Sequence, residues 1–176
     1  VQRQLASGTA LTVSYAGQRG VHLARFVDGN QAVPQIQADG RKFFPADSVT
    51  RNPNLTGVRY KTTDGQSVYN ALQASLQHRL RSGMLVRLNY TFARSIDDGS
   101  VTVTQGGDND LPQDPDSRKA ERGLSNYDMR HYFAGFWSWD LPAVPGLPKW
   151  LGKGWQWNAI STLAAGNPFS VVVGFD

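Results

Sequence analysis

Residues 69–94 read Tyr69-Asn-Ala-Leu-Gln-Ala-Ser-Leu-Gln-His-Arg-Leu-Arg-Ser-Gly-Met-Leu-Val-Arg-Leu-Asn-Tyr-Thr-Phe-Ala-Arg94. Both halves alternate with a period of two. Leu72, Ala74, Leu76 and Leu80 share one face, and Gln73, Ser75, Gln77 and Arg79 the other. Beyond Arg81-Ser82-Gly83, the residues Met84, Val86, Leu88, Tyr90 and Phe92 align against Arg87, Asn89 and Thr91. The pattern predicts a β-hairpin with one apolar and one polar side. Each arm exceeds the usual globular strand of about 5–6 residues and matches the roughly 9–11 tilted residues that cross a bilayer as β-structure. His78 falls on the apolar face in this register, close to the turn. The opposite register would place Arg87 and Asn89 in hydrocarbon, which costs more.

The bulk properties are compatible with that reading. Of 176 residues, 40% are hydrophobic, and the mean hydropathy of −0.41 is polar. A barrel wall with a wet lumen and long loops also averages polar, because only alternate residues meet lipid. No run of about 18 apolar residues exists, so a transmembrane helix is excluded. Glycine is abundant at 18 residues and Glu121 is the only glutamate, which favours strands and turns over helices. Cysteine is absent, removing disulfides and thiolate metal sites. The net charge of +4 comes from scattered basic residues without interleaved aromatics, so nucleic acid is not an expected partner. The chain opens on Val1-Gln-Arg-Gln4 with no leader pattern and closes on Val171-Val-Val-Gly-Phe-Asp176 in an extended segment. Both ends predict a piece of a longer protein.

Along the chain, strands are expected at about 4–16, 69–80, 84–94, 129–141 and 154–165, with a sixth beginning at 169–175. The stretch 17–67 carries nine Gly and Pro residues and is read as a long loop. Residues 95–128 form a second long loop, and 142–153 a Pro/Gly-rich connection. Long and shorter connections thus alternate, as in an antiparallel barrel with short periplasmic turns and long outer loops. All five tryptophans lie between 137 and 157. With the 142–153 connection periplasmic, they collect near one membrane interface, where an indole places its ring in the acyl boundary and its N–H near water. Tyr15, Tyr69, Tyr90, Phe92, Tyr132 and Phe133 are expected towards the opposite rim. Phe136 and Tyr132 fall on the face assigned to the lumen.

Eight of the fourteen acids lie in 95–128: Asp97, Asp98, Asp108, Asp110, Asp114, Asp116, Glu121 and Asp128. Asp108-Asn-Asp110 and Asp114-Pro-Asp116 offer oxygens to calcium, but without the glycine and terminal glutamate of an EF-hand loop. The plainer reading is a solvated loop rich in Asx turns. Arg118, Lys119, Glu121, Arg122, Asp128, Arg130 and His131 form a mixed cluster, read as Arg–carboxylate pairs that pin the loop. Acid/base chemistry by Asp128 and His131 lacks a nucleophile and an oxyanion hole. Ser67, Ser75 and Ser82 stand in no nucleophile elbow, and His22, His78 and His131 lack metal spacing. No catalytic, cofactor or metal residue is therefore assigned, and the chain is not expected to be an enzyme.

Tyr69-Asn-Ala-Leu-Gln-Ala-Ser-Leu-Gln-His-Arg79, Tyr90-Thr-Phe-Ala-Arg-Ser-Ile-Asp-Asp98, Ala120-Glu-Arg-Gly-Leu-Ser-Asn-Tyr-Asp-Met-Arg-His131 and Gly166-Asn-Pro-Phe-Ser170 resemble the late barrel of Oar-like TonB-dependent outer-membrane receptors. Val13-Ser-Tyr-Ala-Gly-Gln-Arg-Gly-Val-His-Leu23 resembles the strand and loop just before it. The resemblance implies a barrel of about twenty-two strands closed by a plug, and energy-coupled uptake across the outer membrane of a Gram-negative-type bacterium. No plug, carboxypeptidase-regulatory-like domain or TonB box is recognisable in these residues. The TonB complex would be met only through regions outside them.

The expectation is thus all-β: residues 1–176 as part of an antiparallel transmembrane barrel, five or six strands of a larger wall, with long extracellular loops. Gln73, Gln77, Arg87 and Asn89 would line the lumen as scaffold. Outer-membrane lipid, the rest of the barrel and the plug are the expected partners, and the transported ligand is not legible. Two alternatives stand beside it. One is a soluble β-sandwich that binds glycans on its tryptophans and is monomeric without detergent. The other is a glycosidase-like enzyme with two acids among 97–128 about 5–10 Å apart.

Overall fold

The computed structural model describes residues 1–45, 47–80, 82–100, 111–146 and 148–169. Its elements are β1 (Gln2–Ala6), β2 (Thr9–Asp28), β3 (Gln35–Ile36), β4 (Lys42–Phe43), β5 (Arg59–Arg79), β6 (Met84–Asp97), β7 (Gly123–Leu124), β8 (His131–Asp140), α1 (Lys149–Gly152) and β9 (Gln156–Ala164). The main sheet runs β1-β2-β5-β6-β8-β9, with β7 added to β6, while β3 and β4 pair separately. Strands adjacent in the chain are adjacent in the sheet, which is the meander expected of a barrel wall. Two compact units divide these residues: 1–18, 69–94 and 128–167 in the first; 19–68 and 95–127 in the second.

In the first unit the turn after β5 sets the register. The Leu80 N–H donates to the Met84 carbonyl at 2.8 Å, and the Gly83 N–H to the Leu80 carbonyl at 3.2 Å. Gly83, with φ of 81°, takes the left-handed conformation that ends a three-residue hairpin loop in a bulge. Leu80 therefore opposes Met84, and counting back places Leu76 beside Leu88 and Leu72 beside Phe92. On the other side of β5, the Arg79 N–H donates to the Gly8 carbonyl at 2.8 Å, and Ser14 Oγ donates to Gln73 Oε1 at 3.3 Å. That register puts Leu11, Val13 and Tyr15 on the Leu76–Leu72 face. Across β6 and β8, Met84 opposes Trp139, Val86 opposes Trp137, Leu88 opposes Gly135 and Tyr90 opposes Phe133. Across β8 and β9, Trp139 opposes Trp157 and Phe133 opposes Leu163. The alternation read from the sequence thus survives as one continuous apolar face over five strands.

No described residue covers that face. The buried apolar side chains among the described residues are Val27, Ala71 and Ala93. Tyr15 is 70% exposed, Leu72 49%, Trp157 51% and Leu163 67%. A sandwich buries such residues between two sheets about 10 Å apart. Here the solvent for the apolar face must come from outside the protein.

Several expected boundaries shift. The first strand, expected at 4–16, is a hairpin that turns at Ser7–Gly8, with Gln2 opposite Thr12 and Arg3 opposite Leu11. The two ends of 17–67 are not loop: β2 runs 20 residues to Asp28, β5 begins at Arg59, and the connection shrinks to 29–58. Its glycines are expected to break strands, yet some allow two strands to touch. A Cβ at Gly20 would lie 2.5 Å from Ser67 Oγ, so the small residue marks close approach inside a strand. The second long loop likewise starts later, since β6 continues to Asp97, and β7 returns to it with Ile96 opposite Leu124. Strands β8 and β9 start two residues after their expected positions. The 142–153 connection holds the one-turn α1 and a Val144 N–H to Gly152 carbonyl bond of 2.9 Å. Asp108, Asp110, Arg81 and the expected strand at 169–175, except Phe169, lie outside the described residues.

Candidate functional site

The polar face of the first unit carries the expected lumen residues. Thr12 and Ser14 from β2, Gln73 and Ser75 from β5, and Asn89 and Thr91 from β6 line an open groove of about 270 Å³. Alternate positions of three neighbouring strands converge on it because a β-strand points every second side chain the same way. The chain brings Gln73 and Asn89 into this groove. Gln77 and Arg87 stand one row nearer the Leu80–Met84 turn on the same face. Thr12, Ser75, Gln77, Arg87, Asn89 and Thr91 make no side-chain bond to any described residue. The Ser14–Gln73 contact is long at 3.3 Å.

The apolar face treats its polar groups differently. Thr9 Oγ1 and His78 Nδ1 lie 2.6 Å apart. The Tyr15 hydroxyl donates to Asn70 Oδ1 at 2.5 Å, and the Tyr90 hydroxyl meets His131 Nδ1 at 2.7 Å. Each of these polar side chains is matched by another across the strands. A lone donor or acceptor in hydrocarbon costs several kcal/mol, roughly 2–7 depending on the reference, whereas a lumen group has water. His78, misplaced by its sequence pattern, is satisfied by Thr9. Arg3 and Ser161, on the outermost strands β1 and β9, stand outside this pattern. On the polar face Gln156 donates to Asp140 at 2.8 Å and Asn158 to Gln156 at 3.0 Å, so polar pairing extends beyond the apolar face, and the open side chains concentrate in the groove of β2, β5 and β6.

Two aromatic rows bound the apolar band. Trp139 and Trp157 face each other beside Met84, with Trp137 beside Val86. Trp155 donates its indole N–H to the Leu151 carbonyl at 2.7 Å, and Trp150 is 77% exposed. At the other end stand Tyr15, Tyr90, Phe92 and Phe133, with the His131 ring 5.2 Å from that of Phe92 and the Arg130 guanidinium 6.0 Å from its centroid. From Met84 to Phe92 is eight steps of about 3.3 Å. Tilted by about 40°, this gives roughly 20 Å between rows, close to the 25 Å apolar band of an outer-membrane barrel. Tyr132 opposes Thr91 on the polar face, the facing expected from its sequence parity, and Tyr69 shares that face two positions before Ala71 rather than standing in the upper girdle.

The second unit is held by charge. Arg25, 6% exposed, grips Asp64 through two bonds of 2.8 Å. Asp98 accepts the Gln66 N–H at 2.6 Å and pairs with Arg118 Nε at 3.3 Å, and Arg118 also donates to the Asp64 carbonyl. Lys42 meets Asp114 at 2.7 Å, and Arg51 pairs with Asp116. Asn30 ties down the 29–58 connection by donating to the Asn52 and Leu55 carbonyls and accepting from the Asn52 N–H. The described acids among those considered for calcium or catalysis are thus engaged as acceptors: Asp97 from Ser100, Glu121 from the Asp114 N–H, and Asp128, in the first unit, with Arg130. No three His, Cys, Asp or Glu converge among the described residues. Val21, His22, Thr62, Gln66 and Arg118 line a further open cavity of about 310 Å³. Sequence reading misses the Arg25–Asp64 pair because both residues fall in the presumed loop. The available signal is a charge at Arg25 on the Leu23–Val27 parity of an otherwise apolar alternation.

The Arg25 hydrogen bonds hold the Asp64 carboxyl at about 2, well below the usual carboxylate range. The Lys42 ammonium likewise lowers Asp114. Because the folded value of Asp64 is depressed, its pairing stabilises fully above about pH 4, the unfolded value, and is lost as pH falls through about 2. Amide hydrogen exchange across 60–67 is expected to show no Asp64-dependent change from pH 8 to 5. Exchange corrected for its intrinsic rate rises between about pH 4 and 2, and Asp64→Asn abolishes that transition.

The family described as "Outer membrane beta barrel domain" matches residues 1–176, the whole chain. This chain belongs to that family. Membership agrees with the geometry: antiparallel strands of bilayer-crossing length, an uncovered apolar face and aromatic rows at its borders. The protein is an outer-membrane barrel segment, and its apolar face sits in outer-membrane lipid. No curated protein and no solved structure matches the chain.

Proposed function

We propose that this barrel segment belongs to a TonB-dependent receptor of the Oar-like type. Its polar face, with Gln73, Gln77, Arg87 and Asn89, lines the passage for a ligand taken up from outside. The described loops within 29–58 and 111–130 screen ligands at the cell surface. The work is binding and passage rather than catalysis, since the described acids are engaged in holding loops. The remaining barrel, its plug and the TonB complex are the partners this reading requires. What carries it is the two-faced wall: an apolar face on which Thr9 meets His78, Tyr15 meets Asn70 and Tyr90 meets His131, opposite a groove whose Thr12, Ser75, Asn89 and Thr91 side chains are left for water or ligand. The motifs at 69–79, 90–98 and 120–131 supply the link to the receptor type.

Single-cysteine variants at 86–91 in native membranes test the facing. A membrane-impermeant thiol reagent is expected to label positions 87, 89 and 91 and to spare 86, 88 and 90. The reverse pattern would overturn the lumen assignment. The receptor class is tested separately, by site-specific cross-linking of the complete receptor to the TonB protein in intact cells. The absence of any adduct counts against energy-coupled uptake.

A further inference from the structure

The polar face holds two rows that run across the strands. One is Ser14, Gln73, Thr91 and Tyr132; the other is Thr12, Ser75, Asn89 and Ala134. Rows two residues apart are separated by about 7 Å, and neighbouring strands by about 4.8 Å. No residue of either row carries a formal charge. Charge appears one row further on at either side, at Arg87 opposite Phe136 and at Arg130, whose carbonyl accepts the Ala93 N–H and whose guanidinium is paired with Asp128.

We propose that these rows are a binding subsite for a neutral saccharide. This rests on the lumen reading above and names its ligand class. Hydroxyls and side-chain amides both donate and accept, so Gln73, Ser75, Asn89 and Thr91 match the mixed donor–acceptor pattern of vicinal sugar hydroxyls. Tyr132, 38% exposed at the end of the first row, offers a flat ring for the C–H face of a pyranose. Ala134, opposite Asn89, leaves room beside it. Other ligand classes fit less well. An anion needs a cation or a cluster of free N–H groups, and the groove has neither. A peptide recognised through its main chain needs a free strand edge, and here the backbone groups are used within the sheet. A hard cation wants several anionic oxygens. The groove of about 270 Å³ falls just below the roughly 300 Å³ lower bound of small-ligand pockets, which fits one subsite along an oligomer.

The complete receptor, purified in detergent, is to be titrated with maltohexaose, cellohexaose and chitohexaose, with hexagalacturonate and tetra-alanine as charged and peptide comparisons. Saturation-transfer NMR is expected to show binding of at least one neutral hexasaccharide and neither comparison. Tyr132→Ala and the pair Gln73→Leu/Asn89→Leu are expected to weaken that binding at least tenfold, and Lys153→Gln, an exposed position in the connection after β8, to leave it within twofold. If no neutral saccharide binds, if hexagalacturonate binds best, or if the groove variants bind as the parent does, the proposal fails. Thiol labelling of Ser75→Cys in native membranes separates the two readings. An inaccessible Cys at that position defeats the lumen assignment, whereas an accessible one with no saccharide binding defeats this inference alone. Heat-modifiable migration of each variant confirms an assembled barrel before its affinity is scored.

Discussion

Leu88→Arg is expected to destabilise the inserted wall by about 2–4 kcal/mol, while Asn89→Arg, one residue on, costs less than about 1 kcal/mol. Leu88 lies midway between the Met84–Trp139 row and the Phe92–His131 row. Four residues at about 3.3 Å each separate it from either border, so a guanidinium there cannot easily reach headgroups. Its neighbour across β8 is Gly135, which offers no partner for a charge. Asn89 points to the wet face, where an added charge keeps its hydration. Trp139→Arg is the graded control: near the interface the charge itself costs about 0–1 kcal/mol, to which the loss of an anchoring indole is added. Reversible urea unfolding from lipid bilayers provides the measurement, with heat-modifiable migration as a check on assembly. Equal penalties at 88 and 89, or a larger one at 89, would mean that the facing is wrong.

The contrast between those two positions is legible in the amino-acid sequence alone, because lipid imposes a period of two on the side chains of any strand that borders it. The same force explains why 72–80, 84–92 and 156–163 carry their correct facing in their residue pattern. It also explains where the pattern is silent. From Lys61 to Ser67 the chain reads Lys-Thr-Thr-Asp-Gly-Gln-Ser, polar on both parities, yet it is strand. A strand held by polar contacts needs no apolar period, and none is written into this stretch. Its partner strand is held by Arg25–Asp64 and by close approach at Gly20 instead. Contacts of that kind join residues 39 apart, and a local pattern does not announce them. The groove is legible residue by residue, as Gln73 and Asn89, but not as a site. Thr12 and Ser14 join it only through the pairing of β2 with the central hairpin, and Tyr132 comes beside it only through β8. Tyr132 in particular suits both a rim position and a lumen-facing one by sequence, and only the register with Thr91 decides between them.

Asp64→Asn is expected to weaken the second unit by about 1–3 kcal/mol, more than Arg25→Met at the other end of the same pair. Removing one partner of a buried ion pair costs about 3–5 kcal/mol, chiefly because the survivor stays buried without compensation. The two ends of this pair differ in burial: the Arg25 side chain is 7% exposed and that of Asp64 43%. Arg25 Nη1 already has no hydrogen-bond partner, so losing the carboxylate also strips charge from the bonds at Nε and Nη2. Asp98 and Glu121 act on Arg25 only through their fields, which keeps it protonated without replacing those bonds. Water reaching Asp64 is the reason for setting the expected loss below the fully buried figure. Arg25→Met keeps the stem's packing against Gly99 and leaves a carboxylate that solvent can hydrate, so its cost should stay under about 1.5 kcal/mol. In the double variant the orphaned charge is gone, and part of the Asp64→Asn loss should return. Hydrogen exchange at 60–67 in all four proteins measures the cycle. If Asp64→Asn proves no more costly than Arg25→Met, the guanidinium is not dependent on this carboxylate, and the second unit is held by packing instead.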